Sequence, residues 1–263
     1  MHPRRPIRLS FMLAILLTLF VSTAALAQLP PFSDSGVTMG HVHLLVPDPA
    51  MHTKLWVDLF GAQIGHAGPL ELIKVPGIVI LINKTQPGAI PGEPTADHFA
   101  LVVKDLASIR QKLASAHIQI PEGKTIAEFP DGVKVELIED KTLAVPVAFH
   151  HFHLVAGDVD AIRSWYVKTF GGVDFPAGAN FPGGKILFRA QSDPARVPSK
   201  GHPLDHISFD VKNLQEFCKK LEAQGTKLDM QIIDATSSIG LKVTFVTDPI
   251  GTRIELTEGL AGK

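Results

Sequence analysis

Cysteine is nearly missing from this chain. Among 263 residues there is one, Cys218, so no internal disulfide can form and a thiolate metal site would lack partners. Charge of one sign is also missing. Lys and Arg number 25 against 26 Asp and Glu, and no basic run occurs after the first eight residues. A nucleic-acid binder normally shows a basic face, so that class is disfavoured. Charged residues make up only 19% and hydrophobic ones 45%, which excludes wholesale disorder, a collagen-like repeat and a coiled coil. After residue 24 no apolar run is long enough to span a bilayer. What is abundant is histidine: twelve residues, a large supply of metal ligands and proton carriers.

The first residues read as an export signal. Arg4, Arg5 and Arg8 precede an almost wholly apolar stretch from Leu9 to Ala24, and Ala25-Leu26-Ala27 supplies a small-x-small cleavage pattern before Gln28. The expectation is a leader over residues 1–27, cleaved after Ala27, and a periplasmic or extracellular protein with no integral span after cleavage. Arg4-Arg5 raises twin-arginine export, but Pro6 and Arg8 fit ordinary Sec export better. The mature chain would carry 22 basic against 26 acidic residues, a net charge of −4.

Four segments read alike: 40–48 (GHVHLLVPD), 97–105 (DHFALVVKD), 150–158 (HHFHLVAGD) and 205–213 (DHISFDVKN). Each is an apolar, β-rich run with a histidine seven residues before its closing Asp or Asn. Those histidines are His41, His98, His151 and His206, at intervals of 57, 53 and 55 residues. Asp48, Asp105, Asp158 and Asn213 are helix N-cap types. The residues after them have helical apolar spacing: Leu55, Trp56, Leu59 and Phe60; Leu106, Ile109 and Leu113; Ile162, Trp165, Tyr166 and Phe170; Leu214, Phe217 and Leu221. Gly61, Gly171 and Gly225 stand where such helices would end. Short β-like runs follow at 78–82, 133–138, 185–189, 241–246 and 252–256. The unit is a strand, a helix, then two or three strands. A module of about 55 residues is too small to bury a core alone, so modules should pair.

The closing runs differ in kind. Gly77 and Gly184 lead, four residues on, to Leu81 and Phe188, whereas Gly132 and Gly251 lead to Glu136 and Glu255. A carboxylate inside an apolar strand is costly unless it is paired or binds a metal. If neighbouring modules pair, His41, His98 and Glu136 converge in one half and His151, His206 and Glu255 in the other. Two imidazoles and a carboxylate form the facial triad of non-haem iron sites, which zinc or manganese also suits. Side chains alternate along a strand, so His43 and His153 share the ligand face as fourth ligands or general acid–bases. His52, His66, His117 and His150 fall out of register and are expected at the surface or behind the ligands. His202 lies in a loop near His206. Tyr166 and Cys218 are expected to pack.

These strand openings, and above all the run Thr247-Asp248-Pro249-Ile250-Gly251-Thr252-Arg253-Ile254-Glu255-Leu256, resemble the vicinal oxygen chelate superfamily of glyoxalases, bleomycin-resistance proteins and extradiol dioxygenases. The resemblance covers residues 38–258. It implies an α+β fold of four βαβββ modules paired into two half-barrel domains, here a linker (28–37), a first domain (38–145) and a second (146–260). It also implies a divalent metal (iron, manganese or zinc) on the six residues named, acting on a small substrate with vicinal oxygens. Glyoxalase I-like sites draw a ligand from the end of the first module, where Leu81 and Phe188 stand. The tyrosine upstream of the final Glu, in which extradiol dioxygenases resemble one another, is replaced in this region by Phe245. The reaction (dioxygenase, lyase or isomerase) is left open. So are a homodimer and two non-catalytic readings, a ligand-sequestering protein and a protein-interaction scaffold.

Overall fold

The computed structural model describes residues 29–85, 90–191 and 195–263. The leader expected over residues 1–27 lies outside them. Four modules follow one another. The first holds β1 (Val37–Val46), α1 (Pro49–Phe60), β2 (Gln63–Ala67), β3 (Leu70–Val75) and β4 (Ile78–Lys84). The second holds β5 (Ala96–Val103), α2 (Leu106–Ser115), β6 (Ile126–Glu128) and β7 (Lys134–Glu139). The third holds β8 (Val147–Ala156), α3 (Val159–Phe170), β9 (Val173–Phe175), β10 (Gly178–Phe181) and β11 (Gly184–Ala190). The fourth holds β12 (Leu204–Val211), α4 (Leu214–Ala223), β13 (Ile233–Ala235), β14 (Leu241–Thr247) and β15 (Arg253–Glu258).

Each helix begins where its cap dictates. Asp48, Asp105, Asp158 and Asn213 accept the backbone N–H three residues on, at 2.9–3.1 Å, each cap being worth about 1 kcal/mol. Helices α1 and α3 end on Gly61 (φ 68°) and Gly171 (φ 74°), both left-handed. After α4 the left-handed residue is Gly225 (φ 86°), but after α2 it is His117 (φ 58°), a strained choice for a residue with a Cβ.

The strands form two sheets with an unexpected composition. One runs β13-β14-β15-β12-β1-β4-β3-β2 and the other β6-β7-β5-β8-β11-β10-β9. The first module therefore shares a sheet with the fourth, and the second with the third. The expectation that sequence neighbours pair through their opening strands is corrected: β1 runs antiparallel to β12, and β5 to β8. Each sheet thus draws strands from both halves of the expected division at residues 145/146.

Sequence neighbours pair instead through their helices. Trp56 on α1, fully buried, stacks on Phe129 of the second module (5.2 Å, 8° between planes) and lies 5.7 Å from Phe99 on β5. In the other half Phe170 on α3 stacks on Phe209 of β12 at 4.3 Å. At the position equivalent to the Trp56–Phe129 stack, the Tyr166 hydroxyl donates to Asp248 Oδ2 at 2.9 Å. Aromatic packing joins modules one to two and three to four, while backbone hydrogen bonds join one to four and two to three.

Candidate metal centres

The sheet pairing decides which ligands meet. Across β1 and β12, His43 stands opposite His206; across β5 and β8, His153 stands opposite His98. Both ladders carry bulges at matching places. One lies just before or at His41 and His151, and the other at Asp205 and Asp97. Bulges re-aim side chains, and they are common beside functional sites. Here they leave His41, His43, His206 and Glu255 in one cup and His98, Glu136, His151 and His153 in the other. Within each cup one ligand atom per residue lies within 4.8 Å of all the others. All eight residues singled out in the sequence are in these cups, but the triads are exchanged. His41 meets His206 and Glu255 instead of His98 and Glu136, and His151 meets His98 and Glu136. The cause is the swapped strand pairing.

In the Glu255 cup, His206 Nε2 is 2.8 Å from Glu255 Oε2, His41 Nε2 is 3.2 Å from the same oxygen, and the two Nε2 atoms are 3.4 Å apart. In the Glu136 cup, Oε2 lies 3.3 Å from His151 Nε2 and 3.5 Å from His98 Nε2. Ligands bonded at about 2.0–2.2 Å sit about 3.0 Å apart at a right angle and about 3.4 Å apart at a tetrahedral one, so both cups have donor spacing that one cation can bridge. Among the described residues, the Nε2 atoms of His98 and His151 and both ring nitrogens of His43 are buried without a hydrogen-bond partner. Such orphaned lone pairs are costly and fit a cation in each cup.

Sequence reasoning missed the groups that orient the ligands. His206 Nδ1 is hydrogen-bonded to Asp205 Oδ1 at 2.5 Å, and His98 Nδ1 to Asp97 Oδ2 at 2.8 Å. A carboxylate on the far nitrogen fixes ring and tautomer so that Nε2 faces the metal. Arg253 holds Asp205 at 3.1 Å, and Arg196 holds Asp97 at 3.0 Å. The available signal was the Asp-His dipeptide in both even modules.

Electrostatics follow from this packing. Burial opposes ionisation of Glu255, but His41 and His206 outweigh it and hold its carboxyl well below the usual range. The adjacent His151 and His98 imidazoles do the same for Glu136. Burial, reinforced by the neighbouring imidazoles, pushes His43 down to about 3 and His153 down to about 4. Both are therefore neutral at pH 7, with a lone pair available.

The cups differ in access. All four residues of the Glu255 cup are buried. Beside them lies an apolar cluster that includes Leu29, Leu72, Val79, Leu81, Leu241 and Leu260. The carboxyl-terminal turn is pinned there by Asp210, whose carboxylate accepts from the Leu260 and Ala261 N–H groups. Phe245 stands edge-on to His206 at 5.2 Å. In the Glu136 cup, Glu136 and His153 are half-buried, and the flanking groups are polar: His150 is 3.4 Å from the Lys185 ammonium, and Arg189 is 46% exposed.

The apolar position facing each extra histidine is also resolved. Leu81 lies beside His43, but Leu187 lies beside His153. The matching turn glycines are Gly77 and Gly183, with φ of 89° and 95°. Gly184 and Phe188 are one residue out of register, and Phe188 packs into the core against Tyr166. Of the remaining histidines, expected at the surface or behind the ligands, His52 is wholly buried and bonded to Asp131 at 3.0 Å. His66 is exposed. His202 is buried in the loop before β12, and Cys218 is buried as expected.

Residues 148–256 match the model of the Glyoxalase/Bleomycin resistance protein/Dioxygenase superfamily. No protein of curated function matches the chain in sequence. Among solved structures, glyoxalase I from Zea mays aligns with a TM-score of 0.65 at 17% identity, over 86% of this chain and 94% of that one. A candidate dioxygenase from Bacillus subtilis subsp. subtilis str. 168 aligns with a TM-score of 0.61 at 14% identity, over 85% and 86%. These likenesses establish the fold. The family match covers residues in the second half of the chain, and the fold of the whole described chain is that of glyoxalase I.

Proposed function

We propose that this protein is an exported, divalent-metal enzyme and that the Glu136 cup is its substrate site. The supporting observation is that this cup combines donor spacing suited to one cation with partial access from solvent. His98, His151 and Glu136 would hold the metal. Bound there, a divalent cation supplies Lewis-acid polarisation and a template for two neighbouring oxygens of a small substrate. A catechol, a hydroxy-ketone or a hydroxy-acid has the required pair.

The chain's own groups do the rest. Lys185 and Arg189 flank the cup and balance negative charge on a chelating substrate. His153 is neutral, its ring centre 4.7 Å from that of His98 and 5.6 Å from that of His151. It accepts a proton at its unpartnered Nε2. The leader-like residues 1–27 support export. The buried Glu255 cup, closed in by apolar side chains and the carboxyl-terminal turn, would hold a metal as a structural element.

The test is turnover of a panel of catechols, hydroxy-ketones and hydroxy-acids by metal-loaded protein, with matched variants. Glu136→Ala should abolish turnover, while Glu255→Ala, where folded, should retain it. His153→Ala should lower kcat with metal content intact. Turnover that survives Glu136→Ala, or that survives chelation, refutes the assignment.

A further inference from the structure

The internal repeat supplies a control for a second cavity, away from both cups. In the half formed by modules three and four, the segment leading into β1 fills the notch behind the end of α3. There the Ser35 hydroxyl donates to the Phe170 carbonyl at 2.9 Å, and the Lys212 N–H donates to the Gly36 carbonyl at 2.9 Å. A Cβ on Gly171 would meet Ser35 at 2.6 Å. The matching notch behind α1 is entered by the segment leading into β8. The corresponding backbone bond is kept, Lys104 N–H to Pro146 carbonyl at 3.0 Å. Here, however, the chain does not fill the space: a Cβ on Gly61 would meet nothing within 4 Å. What remains is a cleft of about 570 Å³, inside the range of small-molecule sites.

Its walls are chemically divided. Leu59, Phe60, Ile109, Val145, Pro146 and Val147 give an apolar floor, and Lys74, Lys104 and Lys112 stand around it. Lys112 also caps α1, donating to the Leu59 carbonyl at 3.3 Å. Among the described residues the one lining carboxylate, Asp105, is engaged as the N-cap of α2. Three ammonium groups around an apolar floor, with a single committed carboxylate, complement a molecule with a flat apolar body and one negative end.

We infer that the cleft between α1, α2 and the start of β8 is a binding site for a small amphipathic anion of the aryl-carboxylate class, separate from the metal cups. None of its lining residues is a cup ligand, so this inference stands or falls independently of the metal chemistry.

The probe is 1-naphthoate, titrated into metal-loaded protein and followed by calorimetry and amide NMR. Naphthalene-1-methanol serves as the neutral comparator. Saturable binding is expected, with shifts centred on Gly61, Ile109 and Val147, and the alcohol should bind more weakly. Ser108→Trp places an indole in the cleft from an exposed position and should abolish binding without changing metal content. Lys74→Glu and Lys104→Glu should each weaken binding by up to roughly fivefold, the upper range for an exposed ion pair. Naphthoate binding that survives Ser108→Trp, shifts confined to the cup histidines, or self-association of the chain in place of a one-to-one complex would each overturn the inference.

Discussion

Replacing Asp205 should loosen one candidate metal centre and leave the other untouched. Asp205 is buried, and burial alone would raise its pKa. Its bond to His206, the nearby Gly201 N–H and Arg253 outweigh that and hold it at about 2, so it is ionised at any working pH. In Asp205→Asn the amide oxygen can still accept from His206 Nδ1, so the tautomer survives, but the charge that strengthens the imidazole as a ligand is gone. Arg253, 3.1 Å away, then stands beside the cation without its counter-ion. Loss of such an orienting partner typically costs about 10–100-fold in metal affinity, or about 1.4–2.8 kcal/mol. Asparagine belongs at the lower end. Alanine belongs at the upper end, because it also strands the His206 and Gly201 donors. The assay is competitive titration against a chromophoric chelator, which resolves two affinities in one chain. The weaker Glu255 cup should appear beside an unchanged Glu136 cup, and Asp97→Asn should give the mirror result. Equal weakening of both affinities, or no change in either, would refute the orienting role.

Three further outcomes concern stability. The phenol of Tyr166 donates to Asp248, a carboxyl that burial pushes up to about 6. Because this folded pKa lies above the unfolded value near 4, the folded state holds the proton more tightly. The group's contribution is therefore fully present below about pH 4 and is lost as pH rises through 6. Tyr166→Phe removes a donor to the ionised form, so its cost should be about 1.5–3 kcal/mol at pH 8 and clearly smaller at pH 5; denaturant titrations giving equal costs would contradict this. His117→Gly relieves a left-handed residue and should stabilise by about 0.5–1 kcal/mol, read as a raised denaturation midpoint. Trp56→Ala removes the indole stacked on Phe129 and should cost about 3–5 kcal/mol, visible as a large drop in Tm.

Much of this was legible in the sequence because it is local. The caps at Asp48, Asp105, Asp158 and Asn213 act within three residues, and the four strand histidines share one offset from those caps. The glutamates of β7 and β15 announce themselves as charges inside apolar strands. Partner choice between strands is not local. The opening strands β1, β5, β8 and β12 are chemically alike, and a ladder reads backbone and not side chains, so nothing in them says which is opposite which. The choice is made by how sequence neighbours pack: Trp56 against Phe99 and Phe129, and Phe170 against Phe209 and Phe217. With neighbouring modules joined under their helices, each opening strand finds its ladder in the other half of the chain. The bulges at Asp97 and Asp205 are likewise products of pairing, which is why the orienting carboxylates passed unnoticed. The burial of His52 was not legible because its partner, Asp131, lies 79 residues away.

The exchanged triads give the most direct test, by counting metal per chain in doubly substituted protein. His41→Ala/Glu255→Ala removes two ligands from one cup and should leave one metal bound. His41→Ala/Glu136→Ala removes one ligand from each cup and should leave neither site intact. One metal in the second variant and none in the first would contradict the account and restore the pairing of neighbouring modules.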